Sequence, residues 1–182
     1  MMQTIPALTP EEAPAASRPL LAAVEAKLGR VPAMMRSMAH SPALLGGYLA
    51  LSGALAEARL DVATRERIAL ALAEANRCGY CLSAHAVLGR MAGLAPDEIA
   101  AARTGRSAEA KAHEALRLAL AIGETTGDVG AAALDAARAA GLDDAEIVEI
   151  VGVVALNLLT NMFNRLAATE IDFPKVALAP AA

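Results

Sequence analysis

At 182 residues with a net charge of −4, the chain can build one domain with its own core, and it has no Lys/Arg block for nucleic acid or an anionic membrane. Hydrophobic residues reach 56% but aromatics only 2%, and alanine dominates. That composition excludes most strand-rich architectures and predicts an all-α protein.

Residues 1–19 hold Pro6, Pro10, Pro14 and Pro19 and read as an N-terminal arm. They show no basic stretch leading into an apolar run, so no secretory leader and a cytoplasmic location are expected. A helical domain is expected over 20–170, followed by a proline-containing tail over 171–182. Leu20, Leu21, Val24 and Leu28 share one face of a first helix that stops at Gly29. Pro32 fits the first turn of a short helix carrying Met34, Met35 and Met38, which read as core packing rather than as a cleft. Ser41-Pro42 caps a helix reaching about Ala58.

Asp61 or Thr64 caps the next helix, which ends near Asn76, and Asn76, Arg77 and Gly79 favour a break there. The following helix starts at about Cys78, reaches Met91 and stops at Gly93. Pro96 opens a short helix ending near Gly105, and Ser107 is expected to cap a long one over 108–123. After a loop over 125–130 comes a helix over 131–140. The capping box Asp143/Glu146 then opens an apolar last helix to about Ala168. Glu149, Asn157 and Asn161 interrupt its apolar run, so no membrane span is expected. A mean hydropathy of +0.42 implies surface buried between copies, hence a homo-oligomer.

The chemistry concentrates in 66–85. Cys78 and Cys81 are the two cysteines of the chain, His85 follows four residues later, and Glu66 precedes them on the helix before. Residues three and four apart share a helical face, so both thiols and the imidazole form one stripe. The thiolate is the reactive form, and a helix amino terminus and a neighbouring imidazolium both favour it. His85 lies four residues from Cys81, the better contact distance, which makes Cys81 the attacking sulfur. Cys78, nearer the helix start and expected to be the more exposed, becomes its resolving partner. Glu66 can orient His85 or take its proton.

Other readings of these residues stand beside this one. The thiols can be plain core residues, or zinc ligands with His85 and Glu66. His40 and His113 read as solvated or locally bonded, Glu74 as part of a solvated face, and Tyr80 as packing. No metal and no cofactor is expected. An echo at a shift of 83 sets Leu60-Asp61 on Asp143-Asp144, Glu66 on Glu149, and Cys78/Cys81 on Asn161/Asn164, as a duplicated helical hairpin would.

The pattern Glu66, eleven residues, Cys78-Gly79-Tyr80-Cys81, three residues, His85 resembles the AhpD-like alkylhydroperoxidase and carboxymuconolactone decarboxylase superfamily. The likeness is good over 44–94, and the total length is similar to the uncharacterised peroxidase-related subgroup. The resemblance implies an all-helical fold, a trimer or hexamer, and a peroxidase site with Cys81 peroxidatic, Cys78 resolving, His85 the base and Glu66 the relay carboxylate. It also implies a hydroperoxide substrate and an external dithiol reductant, either a lipoylated protein or a thioredoxin-like one. Tyr80 stands where studied peroxidase members carry histidine. Two alternatives remain open: a decarboxylase or isomerase of the same fold, and a non-enzymatic thiol stress sensor.

Overall fold

A computed structural model describes residues 3–180, and among them the secondary structure is nine α-helices with no strand. In order these are α1 (Arg18–Leu28), α2 (Ala33–Met38), α3 (Pro42–Ala56), α4 (Val62–Ala75) and α5 (Gly79–Met91). There follow α6 (Pro96–Ala102), α7 (Ala110–Thr125), α8 (Gly130–Ala139) and α9 (Asp144–Ala167). Met1, Met2, Ala181 and Ala182, the ends of the expected arm and tail, lie outside the described residues.

The centre of the bundle is α4. Ile68 to Ala73 are all buried, so it is apolar around its circumference, as a helix enclosed by others must be. It packs against α5, α6, α7 and α9. Polar side chains set the helix starts. The Ser41 hydroxyl accepts from the Leu44 amide, Asp61 from the Thr64 amide, and Asp143 and Glu146 close the expected capping box. Of the two candidates at the head of α4, Asp61 is therefore the cap and Thr64 its donor. At α7 the expectation fails: Glu109, not Ser107, holds the cap position. The Ser107 hydroxyl accepts from the Glu109 amide at 3.2 Å, too early to cap the helix, and donates to Glu98, a carboxylate also held 2.8 Å from the buried Arg67.

The break between α4 and α5 has a definite geometry. Arg77 takes a left-handed φ of +55°, its amide donates to Glu74 O, and the Cys78 amide donates to Ala73 O. Those two bonds close a Schellman motif around a non-glycine residue. They turn the chain sharply enough for α5 to pack back on α4. No such break occurs in α9, which runs straight through Asn161 and Asn164. The echo at 83 therefore does not correspond to a second hairpin.

By length and composition α9 is apolar enough to cross a membrane, contrary to the sequence expectation. Its Asn157, Asn161 and Asn164 are buried in the bundle, and Gly152 lets α3 approach until a Cβ there would meet Leu55 at 3.1 Å. Past Ala168 the tail folds back along its own chain. The Val176 amide donates to Ser83 Oγ at 3.1 Å, the Ala179 amide to Glu74 at 2.7 Å, and Arg103 to Ala177 O at 2.7 Å. Glu74 is thus no solvated helix face; it ties α4 to Arg103 and to the tail.

Candidate active site

Cys78 is the N-cap of α5. Its Sγ accepts from the Cys81 amide at 3.3 Å, and the two residues are joined as a disulfide. Placing Cys78 at the cap leaves its sulfur among the unpaired amides of the first turn, where negative charge is stabilised. The expectation that Cys78 is the more exposed sulfur does not hold. Cys78 is 1% and Cys81 3% exposed, so both are buried.

What separates the two sulfurs is the space each one borders. Cys81 lines a cavity of about 500 Å³ together with His85, Tyr48 and Asn164. Met34, Met35, Leu88, Met91 and Phe173 make most of its wall apolar. Met34 and Met35 are thus cavity residues as well as core, while Met38 is core alone. Cys78 lines a different, more polar groove, bordered by Arg77, Arg165 and Lys175.

On the cavity side, His85 Nδ1 lies 2.8 Å from Glu66 Oε2. With Nδ1 engaged, Nε2 is the ring nitrogen left for the cavity. Glu66 approaches from α4 because the α4–α5 turn lays the two helices side by side. Behind the pair is a smaller space of about 230 Å³, lined in part by Tyr48, Ser52, Asn157 and Thr160. Burial pushes the Tyr48 hydroxyl above its ordinary pKa; a bond to Ser52 opposes this and the Glu66 charge adds to it.

Asn164 is the neighbour that sequence reasoning missed. Its Nδ2 lies 3.3 Å from Cys81 Sγ and 3.1 Å from Met34 Sδ, so an amide donor points at the sulfur from α9. The echo had set Asn164 opposite Cys81, but as a relic rather than as a contact. Tyr48 gave no periodic signal beyond its place on α3. Tyr80 packs as expected: its ring meets Phe173 edge-on at 5.6 Å and its oxygen accepts from the Met34 amide. Burial drives its hydroxyl far above the ordinary range; the Met34 bond opposes that and the Asp172 carboxylate adds to it. A phenol so held stays neutral. His40 bonds the Pro6 carbonyl at 3.1 Å, and His113 has a buried Nδ1 without a partner; neither comes to this site. Among the described residues no cluster of three His, Cys, Asp or Glu side chains is placed to hold a metal ion.

The all-helical bundle is the AhpD-like fold. It is shared across 94% of this chain and 93% of the AhpD-core peroxidase-related protein of Ralstonia eutropha JMP134, with a TM-score of 0.83 and 24% identity. A peroxidase-related protein of Silicibacter sp. TM1040 gives a TM-score of 0.79 at 23% identity, covering 92% of this chain and 91% of that one. A cysteine variant of the debrominase Bmp8, solved with 2,3,4-tribromopyrrole, gives 0.73 at 20% identity, covering 94% and 93%. Residues 42–125 match the Carboxymuconolactone decarboxylase family. An uncharacterised Haemophilus influenzae protein is 54% identical over 46 residues, a match spanning 25% of this chain and 41% of that relative's length. The family match covers somewhat less than half of the chain, and the likeness to the solved structures is one of fold.

Proposed function

We propose that the protein is a thiol-dependent hydroperoxide reductase. The observation that supports this reading best is the shared cavity of Cys81 and His85, with Glu66 behind the imidazole and a second sulfur already bonded to the first. In the reduced protein His85 takes the Cys81 proton, and the thiolate attacks the terminal oxygen of ROOH. The O–O bond breaks, ROH leaves after protonation by His85, and Cys81 becomes a sulfenic acid. Cys78, favoured as a thiolate by its cap position, attacks that sulfur, and water departs as the disulfide forms. An external dithiol then gives up two electrons and two protons and restores both thiols.

The apolar wall favours an organic hydroperoxide over hydrogen peroxide. Such a cycle needs a reducing compartment, so we place the protein in the cytoplasm. We also propose a homo-oligomer, since α9 exposes Val148, Val151, Met162 and Leu166 along one side, each at least 50% accessible.

The test mixes reduced protein with cumene hydroperoxide and with hydrogen peroxide, then counts free thiols after rapid quenching. One disulfide and one alcohol per hydroperoxide is the expected result. No thiol loss, or loss that persists in Cys81→Ser, removes this reading. Catalysis that survives a double Cys→Ser change would instead indicate a decarboxylase or isomerase. Oxidation that no dithiol reverses would indicate a one-time sensor. A second redox reading follows from the apolar cavity and the debrominase fold: a brominated pyrrole could replace the hydroperoxide as the species reduced by the thiols. Bromide release from tribromopyrrole with dithiol present tests it.

A further inference from the structure

The disulfide has two faces, and they differ in chemistry. Cys81 borders the apolar cavity, whereas Cys78 borders a groove of about 710 Å³ on the far side of Tyr80 and of the tail segment 170–175. That volume lies in the range of small-molecule sites. Three cations border the groove. Arg77 is partly engaged, 3.8 Å from Glu74 and bonded to Ala179 O. Arg165 and Lys175 are exposed and form no ion pair among the described residues. Among the described residues Glu170 is the one carboxylate on the rim, which leaves three cations against one anion beside a sulfur.

We propose that this groove is the reductant site, and that it selects a small dithiol carrying a carboxylate. The inference rests on the redox reading above, and assigns its second half-reaction a separate door. The carboxylate is drawn to Arg165 and Lys175, and a reductant thiolate attacks Cys78 Sγ. The Cys78–Cys81 bond breaks, and Cys81 leaves as a thiolate that His85 protonates. The second thiolate of the reductant attacks the mixed disulfide, closes its own disulfide and releases Cys78 as a thiolate supported by the head of α5. Hydroperoxide and reductant therefore need not compete for space.

The experiment uses protein whose disulfide has been formed with diamide, so peroxide reactivity plays no part. Dihydrolipoate and dihydrolipoamide carry the same dithiol and differ in one charge. At low salt the anionic form is expected to reduce the protein roughly 3- to 10-fold faster, the advantage fading toward 0.5 M salt. Changing Arg165→Glu with Lys175→Glu should bring the ratio to about one or below, while Arg117→Glu, which does not line the groove, should leave it intact. Equal rates for the two dithiols, or a ratio insensitive to the double change, overturns the proposal.

A second measurement locates the attack. In Cys81→Ser the remaining Cys78 should prefer iodoacetate relative to iodoacetamide more strongly than Cys81 does in Cys78→Ser. The reverse order also overturns it. If dihydrolipoate behaves as expected but hydroperoxide leaves the thiols untouched, the peroxidase reading fails and the groove stands.

Discussion

Changing Glu66→Gln asks whether the carboxylate behind His85 works through its charge. The pair is 2.8 Å apart, with side chains 21% and 15% exposed, so water screens it only in part. A hydrogen bond to a charged group contributes about 1.5–3 kcal/mol against about 0.5–1.5 for a neutral one, so glutamine forfeits roughly 1.4 kcal/mol of support for an imidazolium. That corresponds to about tenfold in the rate of any step in which His85 holds the Cys81 proton. His85→Gln removes the proton acceptor itself and should cost roughly 100-fold or more. The chain has no Trp to report the reaction optically, so the assay is rapid quenching of reduced protein with cumene hydroperoxide, followed by thiol alkylation and mass measurement. The expected order of rates is wild type, then Glu66→Gln, then His85→Gln. A Glu66→Gln rate equal to wild type would refute the charge argument and leave Glu66 as a packing residue.

Three further changes probe the surroundings. Asn164→Ala removes the amide 3.3 Å from Cys81 Sγ, and alkylation of Cys81 in the reduced protein should slow by about tenfold, as expected when a thiolate loses a donor. Asp61→Ala deletes the cap of α4 and should cost about 1 kcal/mol in urea unfolding at neutral pH. Burial alone would raise the Asp61 carboxyl, but its bonds to the Thr64 hydroxyl and amide hold it below its ordinary value. Its contribution is therefore complete above the unfolded-state pKa and fades as pH falls through the lowered folded value, so the two proteins should converge in acid. Gly105→Ala should lower stability by roughly 1–3 kcal/mol, because φ is +72° and the new Cβ would sit 2.8 Å from Leu120 Cδ1. Gly127→Ala, with φ +93° and nothing within 4 Å, should cost less, and thermal unfolding compares them.

Much of the fold could be read from local signals. Ser41-Pro42, the Asp143/Glu146 box, and the glycines at 29, 93 and 141 each act within a few residues, and each marks a helix end where expected. Ser107 misled because its hydroxyl accepts from the Glu109 amide, ahead of the helix, while donating to Glu98, a carboxylate already oriented by Arg67 from another helix. Glu74 misled for a similar reason: its partners, Arg103 and the Ala179 amide, lie 29 and 105 residues away. At the site, Glu66, Cys78, Cys81 and His85 were legible because one turn and one helical repeat bring them together. Asn164 was not, since nothing near it in sequence says which face of α9 meets α5. Burial of the two sulfurs was misjudged because it is the tail, from beyond α9, that covers the head of α5.

That tail is what turns a buried disulfide into one with two approaches. Asp172 accepts from the Ala33 amide at 2.9 Å and lies 3.2 Å from Arg30, pinning the segment to the loop ahead of α2. Arg30 in turn stacks 4.5 Å over the Phe173 ring, and that ring rests edge-on against Tyr80. Residues 170–175 thereby stand between the apolar cavity, which receives Phe173 and Pro174, and the cationic groove, which receives Glu170, Ile171 and Lys175. Tyr80 fits this partition better than an ionisable residue would. Its ring completes the wall between the two spaces, and its hydroxyl, bonded to the Met34 amide, stays neutral beside sulfurs that on the proposed cycle change charge in turn. A histidine at the same place would add a second titrating group to the wall. On the proposed cycle Tyr80 leaves proton transfer at Cys81 to His85 alone, which is why the His85 change should outweigh every other substitution on the cavity side except that of Cys81 itself.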